Sequence, residues 1–411
     1  MNPELHSNNA NVLNIIKSNG YCTGCGICAS IAEPGQIEMQ ISSSGFLRPV
    51  EFSPISRLSQ QLIQEACPGV HLEHSSANTE KFHPIWGPLV NTRTAFSLDQ
   101  DIRRQGSSGG VVSALCTYLL EAGIVDFVAQ TAVSPTDPLK NILQKSRSRE
   151  DVLRAAGSRY APSAPLENIR EMLETGERFA FVGKPCDVAA LRHYLDTHPE
   201  YYEQVKLLIS FMCAGVPSIK GTHEVLEKMG ADKNKLASFR YRGDGWPGKA
   251  RAIQNDGQIF EMDYNSSWGE ILGRRVQFRC KLCPDGTGEF ADVVCADAWY
   301  GKDGYPDFTE REGRSMLLTR TKLGEELVNK ACEARVIDMV DLPVADIAKM
   351  QPYQALRKKV ALARLVAAGL ANMRFVKFKR MGLFRASFMI NPISLLRNAV
   401  GTYRRTKVEK S

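Results

Sequence analysis

No stretch of this 411-residue chain approaches the roughly 20 consecutive apolar residues that a membrane-crossing helix needs. Its start, Met1-Asn2-Pro3-Glu4-Leu5-His6, lacks the basic-then-apolar leader of a secreted protein, so the expected location is cytoplasmic. No segment repeats at a fixed period, which argues against a solenoid or propeller. The even cysteine count of a disulfide framework is missing too. There are 11 cysteines, and in a reducing compartment clustered thiols hold metals more often than they form bridges. Acidic residues all but vanish at the end. From Tyr353 to Ser411 there are 14 Lys/Arg against one acid, Glu409, so a tail of about +13 follows a body of about −6. No recognisable nucleic-acid module accompanies that charge, and a nucleic-acid partner is not expected.

What is present divides into four parts. Residues 1–80 are rich in Cys, Ser, Gly and Pro, show helical periodicity only at Ile55–Ala66, and read as a small N-terminal segment built around a cofactor. Residues 81–165 and 166–345 alternate buried-strand and helix patterns. Thr92–Ser97, Ile124–Val133, Arg178–Val182, Val205–Met212, Asp292–Ala296 and Ser315–Thr319 read as strands. Val111–Ala122, opened by a serine cap, Asp187–Leu195, Ser218–Met229 and Lys322–Ala334 read as helices. Leu236–Tyr241 and Lys249–Met262, turning at Asp256-Gly257, read as antiparallel strands. This is an α/β pattern with a mixed or parallel sheet. Residues 346–411 form a basic helical tail, with Ala361–Ala371 and Met373–Phe388 as basic amphipathic stretches.

Two cysteine constellations carry chemistry. Cys22-x-x-Cys25-x-x-Cys28 puts three thiolates on one tight loop, as three corners of a cubane cluster require, and Cys67-Pro68 supplies the fourth ligand. A tetrahedral zinc site is the alternative. The second set is dispersed: Cys186 and Cys213, each just after a strand, with the Cys280-x-x-Cys283 knuckle. Ligands gather at that edge of an open α/β sheet. Cys186 as a reactive thiol and Cys213 as a core residue stay open. Cys295, in an apolar strand, reads as core, as do Cys116 and Cys332.

Gln105-Gly106-Ser107-Ser108-Gly109-Gly110 joins a loop to a helix N-terminus, where free N–H groups and the helix dipole favour phosphate. The same turn also serves as an ordinary cap. Ser158-Arg159-Tyr160 offers a second phosphate or ring contact, and Arg242, between Tyr241 and Trp246, a cation beside aromatics.

Taken in order, these elements, with Gly183-Lys184-Pro185-Cys186, Arg242-Gly243 and Ala291-Asp292 before Ala296-Asp297, resemble the deazaflavin-coenzyme (coenzyme F-420) hydrogenase/dehydrogenase beta-subunit family over roughly residues 15–345. The family includes ferredoxin-dependent reductases of chlorophyll intermediates and bacterial members found near polysaccharide genes. The resemblance implies FAD held at Gly106–Gly110 and two 4Fe–4S clusters, with the N-terminal segment ferredoxin-like. Two departures stand out: Asp187 follows the Pro-Cys where the family often has Gln, and Ala296 replaces the Gly of Gly-Asp.

The function expected is an iron–sulfur flavoprotein oxidoreductase taking electrons from ferredoxin or a similar carrier to an organic two-electron substrate. An electron-input subunit oxidising reduced deazaflavin coenzyme is one alternative, and a metal-stabilised interaction protein in polysaccharide biosynthesis is another. A homo-oligomer is open, and the tail offers a membrane-surface or acidic-partner contact, which would place the protein peripherally at the inner membrane face. No catalytic acid or base stands out, and His193 reads as a packing or surface residue.

Overall fold

The computed structural model describes residues 11–75, 82–302 and 305–408; the first residues, on which the leader expectation rests, lie outside them. The N-terminal part carries a short helix α1 (Ile27–Ile31), a hairpin of β1 (Ile37–Ile41) and β2 (Leu47–Glu51), and α2 (Arg57–Ala66), which Ser56 caps and which ends at Cys67. The central elements follow as β3 (Asn91–Ser97), α3 (Val111–Glu121), β4 (Phe127–Val133), β5 (Asn141–Ser146), β6 (Phe179–Gly183), α4 (Pro185–Thr197) and β7 (Val205–Phe211). Then come β8 (Leu236–Arg240), β9 (Ala250–Gln254), β10 (Ile259–Met262), β11 (Val293–Asp297), β12 (Ser315–Thr319) and β13 (Ile337–Asp341).

Eight of these strands form one mixed sheet in the order β13-β3-β12-β11-β7-β6-β4-β5. The four central strands, β11, β7, β6 and β4, run parallel, and the flanking pairs are antiparallel. Residues 81–165 and 166–345 therefore share a single sheet. Strand periodicity decides what each face buries. Phe179 and Phe181 enter one core with α4 and the N-terminal segment. Ala180 and Val182 enter the other, with α3 and the helix Lys322–Glu333. Such two-sided cover explains why the central strands read as continuous apolar runs. The strands β8–β10 make a separate antiparallel sheet against the helix Ile219–Met229.

The N-terminal segment is not an independent unit, because Leu13, Ile27 and Ile63 share a core with the sheet residues Phe181 and Val294. Nothing in its hairpin-and-helix arrangement establishes a ferredoxin-like fold. The tail departs from the sequence reading. One helix, α5 (Pro352–Asn372), takes 21 of its residues and stops at Met373, which adopts φ +52°. Met373–Phe388 is not a helix: Lys377–Lys379 pairs in parallel with His71–Glu73, and only α6 (Leu383–Ser387) is helical. A further helix, α7 (Pro392–Val408), closes the chain and packs along α5. No helix among the described residues is long and apolar enough to cross a membrane.

Candidate functional site

Chain geometry brings the first four cysteines together. Gly24 and Gly26, at φ +81° and +89°, turn the loop between the thiols, and a Cβ on Gly26 would strike the Glu167 backbone at 2.8 Å. The Cys25 carbonyl accepts from Leu166 N–H at 3.0 Å, which fixes the loop to the body. Burial pushes the Cys28 thiol well above its usual range, and the nearby sulfurs of Cys22, Cys25 and Cys67 push it further. The four free thiols thus lie within electrostatic reach of one another.

The second quartet forms at the carboxyl ends of β6 and β7. Cys186 opens α4 after β6, and Cys213 follows β7. Cys186, Cys213, Cys280 and Cys283 line one small cavity with Thr23, Arg279 and Arg357. Gly215, at φ +134°, lets the Cys280 loop close in: a Cβ there would meet Val276 at 2.8 Å and Cys280 at 3.3 Å. Val216 N–H donates to the Cys280 sulfur at 3.3 Å. The two quartets are neighbours. Burial raises the Cys186 thiol first, and the Cys25 sulfur is near enough to add to it. Gln277 also donates to the Thr23 carbonyl at 3.0 Å, which ties the two loops together.

Arg279 tests what these thiols suit. It is 3% exposed and lies between the quartets, acting on Cys67 and on Cys283. One terminal nitrogen donates to the Pro68 carbonyl at 2.7 Å, while Nε and Nη1 find no partner. Among the described residues it has no carboxylate. A buried guanidinium without an anion is costly. Thiolate-ligated clusters carry net negative charge, so they fit the gap that the protein's own residues leave. Among the described residues no three His, Cys, Asp or Glu side chains are drawn together as one metal ion requires. A cubane holds its thiolates further apart than a tetrahedral zinc does.

A cavity of about 910 Å³ adjoins the second quartet and shares Cys213, Gly215 and Val216 with it. Its inner wall includes Gly106, Ser107, Ser108, Gly110, Ser158, Arg159, Tyr160 and Arg242. The serine cap expected for α3 is not made. Gly110, at φ +74°, is the cap and offers no side-chain bond, so the first N–H groups of this 11-residue helix remain for a ligand. Ser108 turns away to donate to the Arg314 carbonyl at 2.9 Å, and Ser107 Oγ accepts from Ser158 N–H at 2.6 Å. Gln105 and Gly109 are not on the wall. Gly109 N–H donates to Ser315 Oγ and its carbonyl accepts from Ser97, which ties the loop to the sheet, and the Gln105 carbonyl accepts from Arg240.

The expected cations are braces. Arg159 donates to Asn141, Phe239 and Pro138. Arg242 makes a two-pronged pair with Asp297 at 2.7 and 2.8 Å and lies over the rings of Tyr264 and Trp299. The sequence reading missed Lys184, on the turn between β6 and α4, which donates to Ser163 at 2.8 Å and pairs with Asp187 at 2.7 Å. Burial works against its charge, yet Asp187 and the nearby thiols carry its pKa above the usual lysine value. Also missed were the aromatic wall of Tyr264, Trp268, Trp299 and Phe308, and the tail's own share. Arg357 on α5 donates to the carbonyls of Cys213 and Cys280 at 2.7 and 2.8 Å, and Gln354 donates to Cys213 at 3.1 Å. Burial, then neighbouring Arg357 and Arg405, lower Arg364 to about 10 at the outer wall. Cys295 packs beside Cys116 in the core and also reaches the wall of the large cavity, its carbonyl accepting from Met212 N–H at 3.0 Å, and His193 is a packing residue stacked on His71 at 5.1 Å.

Two models of one family match, that of the coenzyme F420 hydrogenase/dehydrogenase beta subunit: its N-terminal model at residues 92–170 and its C-terminal model at residues 176–344. The chain is 29% identical over 333 residues to a coenzyme F420-dependent sulfite reductase of Methanocaldococcus jannaschii, covering 77% of this chain but only 47% of that protein. It is 26% identical over 265 residues to the coenzyme F420 hydrogenase subunit beta of Methanococcus voltae, covering 61% of this chain and 85% of that one. The fold matches a chain of the F420-reducing NiFe hydrogenase complex from Methanosarcina barkeri with a TM-score of 0.55 at 20% identity, over 72% of this chain and 98% of the other.

Proposed function

Because the chain belongs to the coenzyme F420 hydrogenase/dehydrogenase beta-subunit family, whose named relatives are oxidoreductases, we propose that it is an iron–sulfur flavin oxidoreductase joining a one-electron carrier to an organic two-electron substrate. The observation that carries this reading is the series of two neighbouring thiol quartets and a large cavity, with Arg279 between the quartets and Cys213 on both cavities. Clusters exchange single electrons, and a flavin converts between one- and two-electron chemistry.

The chain's own residues supply binding and exclusion. Cys22, Cys25, Cys28 and Cys67 would hold one 4Fe–4S cluster, and Cys186, Cys213, Cys280 and Cys283 a second. The uncapped start of α3 would take the FAD pyrophosphate, with the Ser107 hydroxyl beside it. Lys184 keeps a proton and a positive charge at the inner end of the cavity. Arg279 and Arg357 offset negative charge around the second quartet. The aromatic wall and α5 line the same cavity.

A ferredoxin-like donor and a cytoplasmic setting belong to this proposal. So does the second reading, exchange with reduced deazaflavin coenzyme as one subunit of a complex, which the named relatives favour. Anaerobic purification with iron, sulfide and flavin quantitation tests the main reading. About eight irons and about one FAD per chain are expected. A colourless, reconstituted protein lacking both would overturn it. Hydride exchange with the deazaflavin coenzyme separates the two readings.

A further inference from the structure

The last helix is amphipathic the wrong way round. Towards α5, α7 buries Thr402 and Thr406 and half-buries Asn398. Towards solvent it shows Ile393, Leu396, Val400 and Tyr403, spaced as one helical stripe, with Ile393 60% and Leu396 65% exposed. Just before it, Phe384 and Phe388 pack edge to face at 4.9 Å and stand exposed with Met389. Thirteen of the 24 large exposed apolar side chains among the described residues lie between Tyr353 and Tyr403, so this part of the chain carries more than half of them.

Its charges are of one sign. No Asp or Glu occurs between Tyr353 and Val408. Arg385, Arg397, Arg404 and Lys407 are exposed, with no ion pair among the described residues. Arg397 and Arg404 fall in the same helical row as Ile393 and Val400, at i, i+4, i+7 and i+11. A protein partner that covered the stripe would have to bring carboxylates against both guanidinium groups inside an apolar contact, because this segment has no acid of its own to pair them. A lipid surface makes no such demand: apolar side chains enter the acyl boundary while long cationic stems reach back to the headgroups.

We propose that the α6–α7 face built on Phe384, Phe388, Ile393, Leu396, Val400 and Tyr403 docks this protein on an anionic lipid bilayer. The inference stands on surface chemistry alone and is independent of the redox reading.

Flotation of the full-length protein with phosphatidylcholine vesicles, with and without phosphatidylglycerol, tests it. The protein floats with the anionic vesicles and stays behind with the neutral ones, and added salt weakens the attachment. The Leu396→Asp/Val400→Asp variant loses at least about tenfold in bound fraction. Each of Arg397→Gln and Arg404→Gln loses about fivefold in affinity. Circular dichroism and thermal midpoints match the wild type, since these side chains are exposed. Failure of the wild type to float with anionic vesicles overturns the proposal, as does equal flotation of the Asp variant. A stoichiometric acidic protein that shields α7 from hydrogen exchange overturns it as well.

Discussion

Arg279 shows what single residues decide here and what a sequence does not display. The cysteine spacings were legible because a knuckle's geometry is local, and the members of each quartet lie near one another. The cation between them was not legible as such: Arg279 precedes the Cys280 knuckle, but its burial and its contact with the Pro68 carbonyl come from a segment some two hundred positions away. Removing that cation disfavours adding an electron nearby. Arg279→Gln should lower the midpoint potentials of the clusters by on the order of 50 mV, with Arg279→Lys in between. An electron paramagnetic resonance redox titration reads this directly, and unchanged potentials would refute the role. His193 gives a pH signature. Burial first, and then His71, lower its pKa to about 4. Above about pH 6.5 it is neutral whether folded or unfolded and contributes no pH dependence. Below that, only the unfolded chain takes up the proton, so stability falls as pH drops toward 4. The loss at pH 5 is about 2 kcal/mol. Denaturant midpoints at pH 7 and 5 should show it, and His193→Phe should remove most of the difference.

Elements were read well where periodicity is local and badly where a distant partner sets the conformation. The strands β3, β6, β7 and β12 appear within a residue or so of where alternating or continuous apolar runs put them. The stretch Met373–Phe388 failed because its strand pairs with His71–Glu73, some three hundred positions away. The Gly106–Gly110 turn was found, but not why it needs its glycines. Gly109 and Gly110 both have backbone atoms 2.7 Å from any added Cβ, and Gly110 also needs its positive φ to leave α3 uncapped. Gly110→Ala should therefore cost at least about 1–2 kcal/mol of stability. It should also weaken FAD retention, measured by flavin recovered after gel filtration. A variant that keeps its full flavin complement would show that the cofactor does not rest on this turn.

At the scale of the whole molecule, the basic tail is part of the machinery. Lys358 on α5 and Glu289, 2% and 0% exposed, form a buried pair that His74 joins at 3.1 Å from the carboxylate. Lys358→Met leaves that carboxylate without its cation and should destabilise the protein by about 3–5 kcal/mol. Thermal melts test it, and a drop under about 1 kcal/mol would mean that the tail merely rests on the body. Composition exposed the tail's charge but not its docking, because charge counting cannot separate a solvated helix from one whose inner face is buried.

The clamp of Arg357 and Gln354 on the carbonyls of Cys213 and Cys280 also sets an order of events in synthesis. The ribosome makes all eight cysteines of the two quartets before it reaches α5. For on the order of ten seconds the second quartet therefore lies without its helical cover. On the proposed reading a cluster would enter most readily in that interval, and a finished polypeptide that missed it would have to lift its own helical end first.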